Sequence, residues 1–133
     1  MTSSRNEIDE QFKNAKIGFD SWRKTTLSHR KAILTKYKEI LLTNTDLLAE
    51  TISKEHGKPL WDARSEVGAM VGKIDVTFES YDDRLNAIRS VHADMGIQAR
   101  FKPFGVFVVI GPFNFPGHLP NGHIVPLLLA GNS

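Results

Sequence analysis

Asn114 is the residue with the most chemical reach in this sequence. It lies in Gly111-Pro112-Phe113-Asn114-Phe115-Pro116-Gly117, between a Gly-Pro break and a Pro-Gly break. A carboxamide offers neutral N–H donors whose availability does not change with pH. That suits a site where negative charge develops on an oxygen during reaction. From spacing alone the plainer reading leads: an asparagine that bonds to its own backbone in a turn. Two histidines follow, His118 and His123. Imidazole titrates near 6.5, so a protonated pair would favour anions; the alternative is that both only cap or pack the start of a helix. Their separation of five is poor for two ligands on one helix face, and no metal is expected. His56 has no fixed partner in the sequence and reads as a helix-end residue. There is no cysteine, which excludes disulfides, thiolate metal sites and a cysteine nucleophile within these residues.

The elements that must position Asn114 are legible around it. Val106 to Ile110 is dense in β-branched and aromatic residues and reads as a buried strand. Ile124 to Ala130 is an apolar run that reads as a helix, stopped by Gly131-Asn132. A strand, a sharp loop and a helix place Asn114 beyond a strand's carboxyl end, where open α/β sheets bind ligands.

Upstream, the pattern is helical. Ile8, Phe12, Ala15, Phe19 and Trp22 fall on one face of a first helix. Ser28, after Leu27, suits the N-cap of a second, whose stripe is Ala32, Ile33, Tyr37, Ile40 and Leu41. His29-Arg30-Lys31 in its first turn opposes the helix dipole and reads as a solvated face. Asn44 or Thr45 caps a third helix with Leu47, Leu48 and Ile52, ended by Gly57 in a left-handed turn before Pro59. A long helical pattern then runs from about Leu60 to Val91, with Gly68 and Gly72 spaced for close helix packing. His92 to Gly96 reads as a loop. Ile97, Ala99 and Phe101 alternate with Gln98, Arg100 and Lys102 as an edge strand.

The 133 residues carry 17 Lys and Arg against 15 Asp and Glu, a net charge of +2 spread along the chain. A nucleic-acid footprint needs a clustered basic face, so no nucleic-acid partner is expected. No apolar run approaches the roughly 20 residues that span a bilayer. No membrane association is expected, and a cytoplasmic location is the default. One buried strand with one edge strand makes a poor sheet alone. The chain therefore reads as an incomplete α/β unit, 1–92 mainly helical and 97–133 a strand, the Asn-bearing loop and a helix.

Residues 55 to 67, Glu-His-Gly-Lys-Pro-Leu-Trp-Asp-Ala-Arg-Ser-Glu-Val, resemble the Glu-x-Gly-Lys-Pro segment of the aldehyde dehydrogenase superfamily and the helix after it. Residues 105 to 116, Gly-Val-Phe-Val-Val-Ile-Gly-Pro-Phe-Asn-Phe-Pro, resemble its strand and Pro-Trp-Asn-Phe-Pro loop, with Phe113 where Trp is commonest. The resemblance implies an N-terminal part of a Rossmann-type domain that binds NAD, or NADP, and oxidises a small aldehyde. It implies that Asn114 is the oxyanion donor, that Ile110, Gly111, Pro112 and Phe113 touch the cofactor, and that Phe115, His118, Leu119, Gly122 and His123 line the substrate tunnel. The run from Gly117 to Pro126 resembles members acting on a succinylated amino-acid semialdehyde in bacterial arginine breakdown. Gly122, where a bulky residue is common, implies a roomier mouth. The strand at 97–102 matches the family's oligomerisation hairpin, which implies a homo-oligomer; an intramolecular edge strand is the competing reading. The family's nucleophilic cysteine and general-base glutamate would lie downstream, so these residues alone are expected to be inactive. A non-catalytic nucleotide-binding or subunit-interaction module stays open as the alternative.

Overall fold

A computed structural model describes residues 4–85, 88–92 and 95–133, and side chains outside 86–99. Its elements are α1 (Arg5–Trp22), α2 (Leu27–Thr43), α3 (Thr45–His56), α4 (Leu60–Arg84), β1 (Ile88–His92), β2 (Met95–Ala99) and α5 (His118–Leu129).

α1 begins in a capping box in which the Glu7 amide donates to Ser4 Oγ and the Glu7 carboxylate accepts from the Ser4 amide. Its expected apolar face is only partly covered. Ile8 and Phe12 stay exposed, while Ala15, Phe19 and Trp22 are half-buried. α2 is capped by Thr26, whose Oγ1 accepts from the His29 amide at 3.2 Å, and not by Ser28. Leu34 and Leu41 of α2 are buried, with Leu27 and Tyr37 packed beside them. Ile33 and Ile40 face outward. The covered stripe is therefore turned about one residue from the expected one, because apolar residues lie on both sides of this helix. Arg30 is buried, not solvated. α3 ends as expected, with Gly57 left-handed at φ 68°.

α4 stops at Arg84 and does not run on to Val91. Ile88 to His92 instead pairs antiparallel with Met95 to Ala99, Ile88 opposite Ala99 and His92 opposite Met95. Ile88 and Val91 keep a helical period by chance over too short a span; a β-branched run of this length serves a hairpin equally well. The strand expected at 97–102 thus begins at Met95 and ends at Ala99, and the two faces proposed for residues 97–99 lie outside the described side chains. Gly68 and Gly72 do not serve close packing, since a β-carbon at either would meet nothing within 4 Å.

The core joins α2, α4 and α5 through Leu34, Leu41, Met70, Ile74, Val125 and Leu129. A smaller cluster, Ala49, Ala63 and Val67, locks α3 onto α4. The expected buried strand at 106–110 is absent. The segment is irregular, and Val108 and Ile110 are 77% and 89% exposed. Its start alone is bonded: the Phe107 amide donates to the Ser133 carbonyl (2.7 Å) and the Ser133 amide to the Gly105 carbonyl (3.1 Å), the alternation of a parallel pair. A run rich in strand formers needs neighbours to become a ladder. Among the described residues the sheet is the β1–β2 hairpin, so a Rossmann-type sheet is not formed here.

Candidate active site

α5 is the apolar helix behind Asn114, and its N-terminus brings no side-chain cap of its own. Gly117 stands at its N-cap, and its first turn holds no acidic residue. Free amides at a helix start need acceptors and carry partial positive charge. Glu66 of α4 meets both needs: its Oε1 accepts from the Gly117 amide at 2.8 Å and the His118 amide at 3.0 Å. The Glu66 side chain is wholly buried, and Lys58 neutralises it through a 2.7 Å bond to Oε2. Lys58 also pairs with Asp62 at 2.9 Å. Burial would raise the Glu66 pKa. The Lys58 bond, the two backbone bonds and the Lys58 charge together outweigh it, and the carboxyl is held below its ordinary value. Burial works against the Lys58 ammonium in turn, but its two carboxylates hold its pKa above the ordinary value.

The same ammonium reaches the loop. It donates to the Asn114 carbonyl at 3.2 Å and lies 4.3 Å from the centroid of the Phe115 ring. Phe113, Asn114 and Phe115 line one cleft of about 360 Å³ with His56, Gly57, Lys58 and Asp62. Asn114 and Phe113 are exposed there.

The other candidates divide. Ile110 and His123 line a second, largely apolar cleft of about 510 Å³ with Val108, Pro126 and Leu127. Gly111 is needed inside the chain, because a β-carbon there would collide with the Pro120 ring. Pro112 is exposed between the two clefts. His118 turns toward Phe115, ring edge to ring face at 6.4 Å, and its Nδ1 is buried without a hydrogen-bond partner among the described residues. Leu119 is exposed on α5. Gly122 faces Lys73 of α4, whose Cε would lie 3.7 Å from an added β-carbon.

Several structural anchors of this site carry no role in the sequence reading. Asp62 and Glu66 are spaced four apart on α4, a visible signal that they share a face; Lys58 precedes the helix, and spacing does not place it beside them. Gly117 packs so closely that a β-carbon would lie 2.7 Å from Met70 Sδ. Asn121 is buried, donating to the Met70 carbonyl at 3.1 Å and accepting from the Tyr37 hydroxyl at 3.0 Å. Burial raises the Tyr37 pKa, which keeps that donor protonated. Nothing local in the sequence marks these long-range pairs.

The aldehyde dehydrogenase family model matches residues 1–133. This chain belongs to the aldehyde dehydrogenase family. It is 39% identical over 132 residues to the N-succinylglutamate 5-semialdehyde dehydrogenase of Paraburkholderia xenovorans, covering 99% of this chain and 27% of that protein. It is 42% identical over 131 residues to the enzyme of that name from Chromohalobacter salexigens, covering 98% of this chain and again 27% of the relative. The chain thus spans about a quarter of the curated relatives it matches. Its fold matches a glyceraldehyde-3-phosphate dehydrogenase from Methanocaldococcus jannaschii, solved with NADP, at a TM-score of 0.90 and 26% identity over 99% of this chain and 29% of that one. Among the described residues no helix is long and apolar enough to cross a membrane.

Proposed function

We propose that this chain supplies the Asn114-bearing part of an NAD(P)-dependent aldehyde dehydrogenase that oxidises N-succinylglutamate 5-semialdehyde to N-succinylglutamate. The observation that carries the reading is Asn114, exposed in a cleft on a loop tied to α4 and α5, in a chain whose curated relatives bear that enzyme's name. A thiolate from residues outside this sequence, which holds no cysteine, adds to the aldehyde carbon. The carbonyl oxygen takes the negative charge, and the Asn114 carboxamide donates a hydrogen bond to it. A donor already aimed at that oxygen would cost no reorientation as the charge appears.

The described residues suit a nicotinamide nucleotide in one respect and not in another. Ile110 and Phe113 offer exposed apolar surface to a flat ring. The N-terminus of α5, a natural phosphate seat, is already filled by the Glu66 carboxylate, so Ile110, Gly111, Pro112 and Phe113 would hold the nucleotide by its faces. When bound there, a nicotinamide would supply a hydride acceptor for the substrate carbon; the thioester left on the sulfur would then be hydrolysed by water to the acid and the free thiol. His123 and the open side of Gly122 are assigned to the succinylated end of the substrate, with Phe115, His118 and Leu119 nearer the carbonyl.

The test joins these residues to the part of the Chromohalobacter enzyme that follows its matching segment, and follows NAD(P)H formation. N-Succinylglutamate semialdehyde should be preferred over hexanal, and Asn114→Ala should lower kcat about 10²- to 10³-fold. Full activity in that variant, or preference for hexanal, overturns the reading. The 133 residues alone should turn nothing over. The exposed run Phe104, Val108 and Ile110 favours a second reading, a module that pairs with dehydrogenase subunits; co-purification with such subunits and no contribution to turnover would support it.

A further inference from the structure

We propose that Lys58 is a positioning residue for Asn114, acting in a couple with Glu66 that holds both ends of the loop. The inference rests on the reading of Asn114 as the oxyanion donor. Lys58 Nζ grips the near end, through the Asn114 carbonyl at 3.2 Å and the face of Phe115 at 4.3 Å. Glu66 Oε1 grips the far end, through the amides of Gly117 and His118. The two grips are joined by the 2.7 Å bond between Lys58 Nζ and Glu66 Oε2. Pro116, the one residue between them, has its φ fixed by its ring.

The arrangement does more than satisfy a buried acid. Asp62, at 2.9 Å, already gives Lys58 a second carboxylate. Against those two charges, the bond to a neutral backbone carbonyl and the ring contact add little to the ion cluster. What they do is fix residues 114 and 115. Among the described residues no hydrogen bond holds the Asn114 carboxamide itself, so what the couple sets is the backbone from which the carboxamide projects, and with it the range of positions that its rotamers can reach. A misplacement of about 1 Å can cost a hundredfold in rate. The loop is thus aimed from the side of α3 and α4, through a turn, Gly57 to Pro59, that carries no part of the apolar core.

The test uses the ¹⁵N-labelled 133-residue chain with Lys58→Met, Lys58→Arg and Phe115→Leu. In Lys58→Met, the backbone ¹⁵N order parameters of Asn114 and Phe115 should fall toward flexible-loop values, below about 0.6, and the Asn114 side-chain amide signals should move toward free-asparagine positions. Hydrogen exchange at Ile74 and Val125 should stay within twofold. Lys58→Arg should restore most of the order. Phe115→Leu, which keeps every ion pair, should loosen Asn114 by a smaller factor. An unchanged Asn114 signal in Lys58→Met overturns the proposal, as does a loss of exchange protection at Ile74 alongside it, which would make Lys58 only a contributor to global stability. In the joined enzyme, Lys58→Met should lower kcat about tenfold with KM for the aldehyde within twofold. The relaxation and exchange data need no aldehyde, so they stand or fall separately from the oxidation reading.

Discussion

The two ends of α5 present the same problem and receive different answers. α5 carries no charged side chain to complement its own termini; the C-terminal turn is closed by the amides of Gly131 and Asn132 on the Leu128 and Leu127 carbonyls, and both ends also draw on side chains from other helices. At the C-terminal end, Arg30 Nε donates to the Leu129 carbonyl at 2.8 Å and Trp22 Nε1 to the Leu128 carbonyl at 2.9 Å. Asn132 folds back there, its Oδ1 accepting from the Phe104 and Gly105 amides. At the N-terminal end the cap is Glu66, and its counter-ion Lys58 reaches on to the exposed loop. One end closes the fold on itself. The other spends its last two contacts on a surface loop that carries Asn114. The difference teaches where to look for function: in the contacts left over once a cap is satisfied.

The comparison is broken most severely at the C-terminal end. Arg30→Met leaves the carbonyls of Leu129 and Thr25 without the guanidinium that serves both. Charged hydrogen bonds of this kind are worth about 1.5–3 kcal/mol each, and the lost partners are partly buried. Urea unfolding should show a loss of about 3 kcal/mol for the whole chain, with α5 and residues 104–107 released together.

Gly117→Ala strikes the other end next. A β-carbon there would meet Met70 Sδ at 2.7 Å and Glu66 Oε1 at 3.4 Å. The sulfur can move and the capping carboxylate cannot move without losing its amides, so a loss of about 2 kcal/mol is expected. Unlike Arg30→Met, this variant should disturb residues 114–118 more than residues 104–107 in amide spectra. Equal disturbance of both would erase the distinction between the ends.

How much of this was legible beforehand differs between the ends as well. The helices from α1 to α4, the left-handed Gly57 and the loop around Asn114 follow from periodicity and turn residues, which are local. The spacing of Asp62 and Glu66 marks one face of α4, but the target of Glu66, the amides of Gly117 and His118, lies about 50 residues away. Arg30 is harder still. In sequence it sits in a basic run at a helix start, where the dipole argues for solvent. Its burial is decided by Leu129 and Thr25, which local pattern cannot show. The expected strand from Val106 to Ile110 fails for the opposite reason: its composition suits a strand, but composition does not supply the neighbouring strand.

Trp22→Phe is a milder break at the C-terminal end. It keeps the aromatic bulk and removes the bond to the Leu128 carbonyl. A loss of about 1 kcal/mol is expected in urea unfolding, with the Asn114 backbone and side-chain amide signals unchanged. Loosening of Asn114 in this variant would show that the two ends are coupled through the helix.

The smallest effect separates the ends by pH. Glu66 is held below its ordinary value: burial opposes this, but the bonds from Lys58, His118 and Gly117 prevail. A carboxyl depressed on folding contributes stability above its unfolded value of about 4.3, and that contribution is lost as pH falls through the folded value. Lys58 is raised on folding, so its contribution is complete below about 10.4 and lost as pH rises through its folded value. The Lys58–Glu66 couple should therefore keep both of its charges from about pH 5 to 10. In acid, the amides of Gly117 and His118 should lose their acceptor and exchange faster. The Leu129 and Leu128 carbonyls have donors that do not titrate there, a guanidinium and an indole. Amide exchange across α5 between about pH 2 and 7 should thus show the N-terminal turn loosening first while the C-terminal turn holds. Simultaneous loosening of both turns would mean that Glu66 belongs to the global fold and not to the loop it caps.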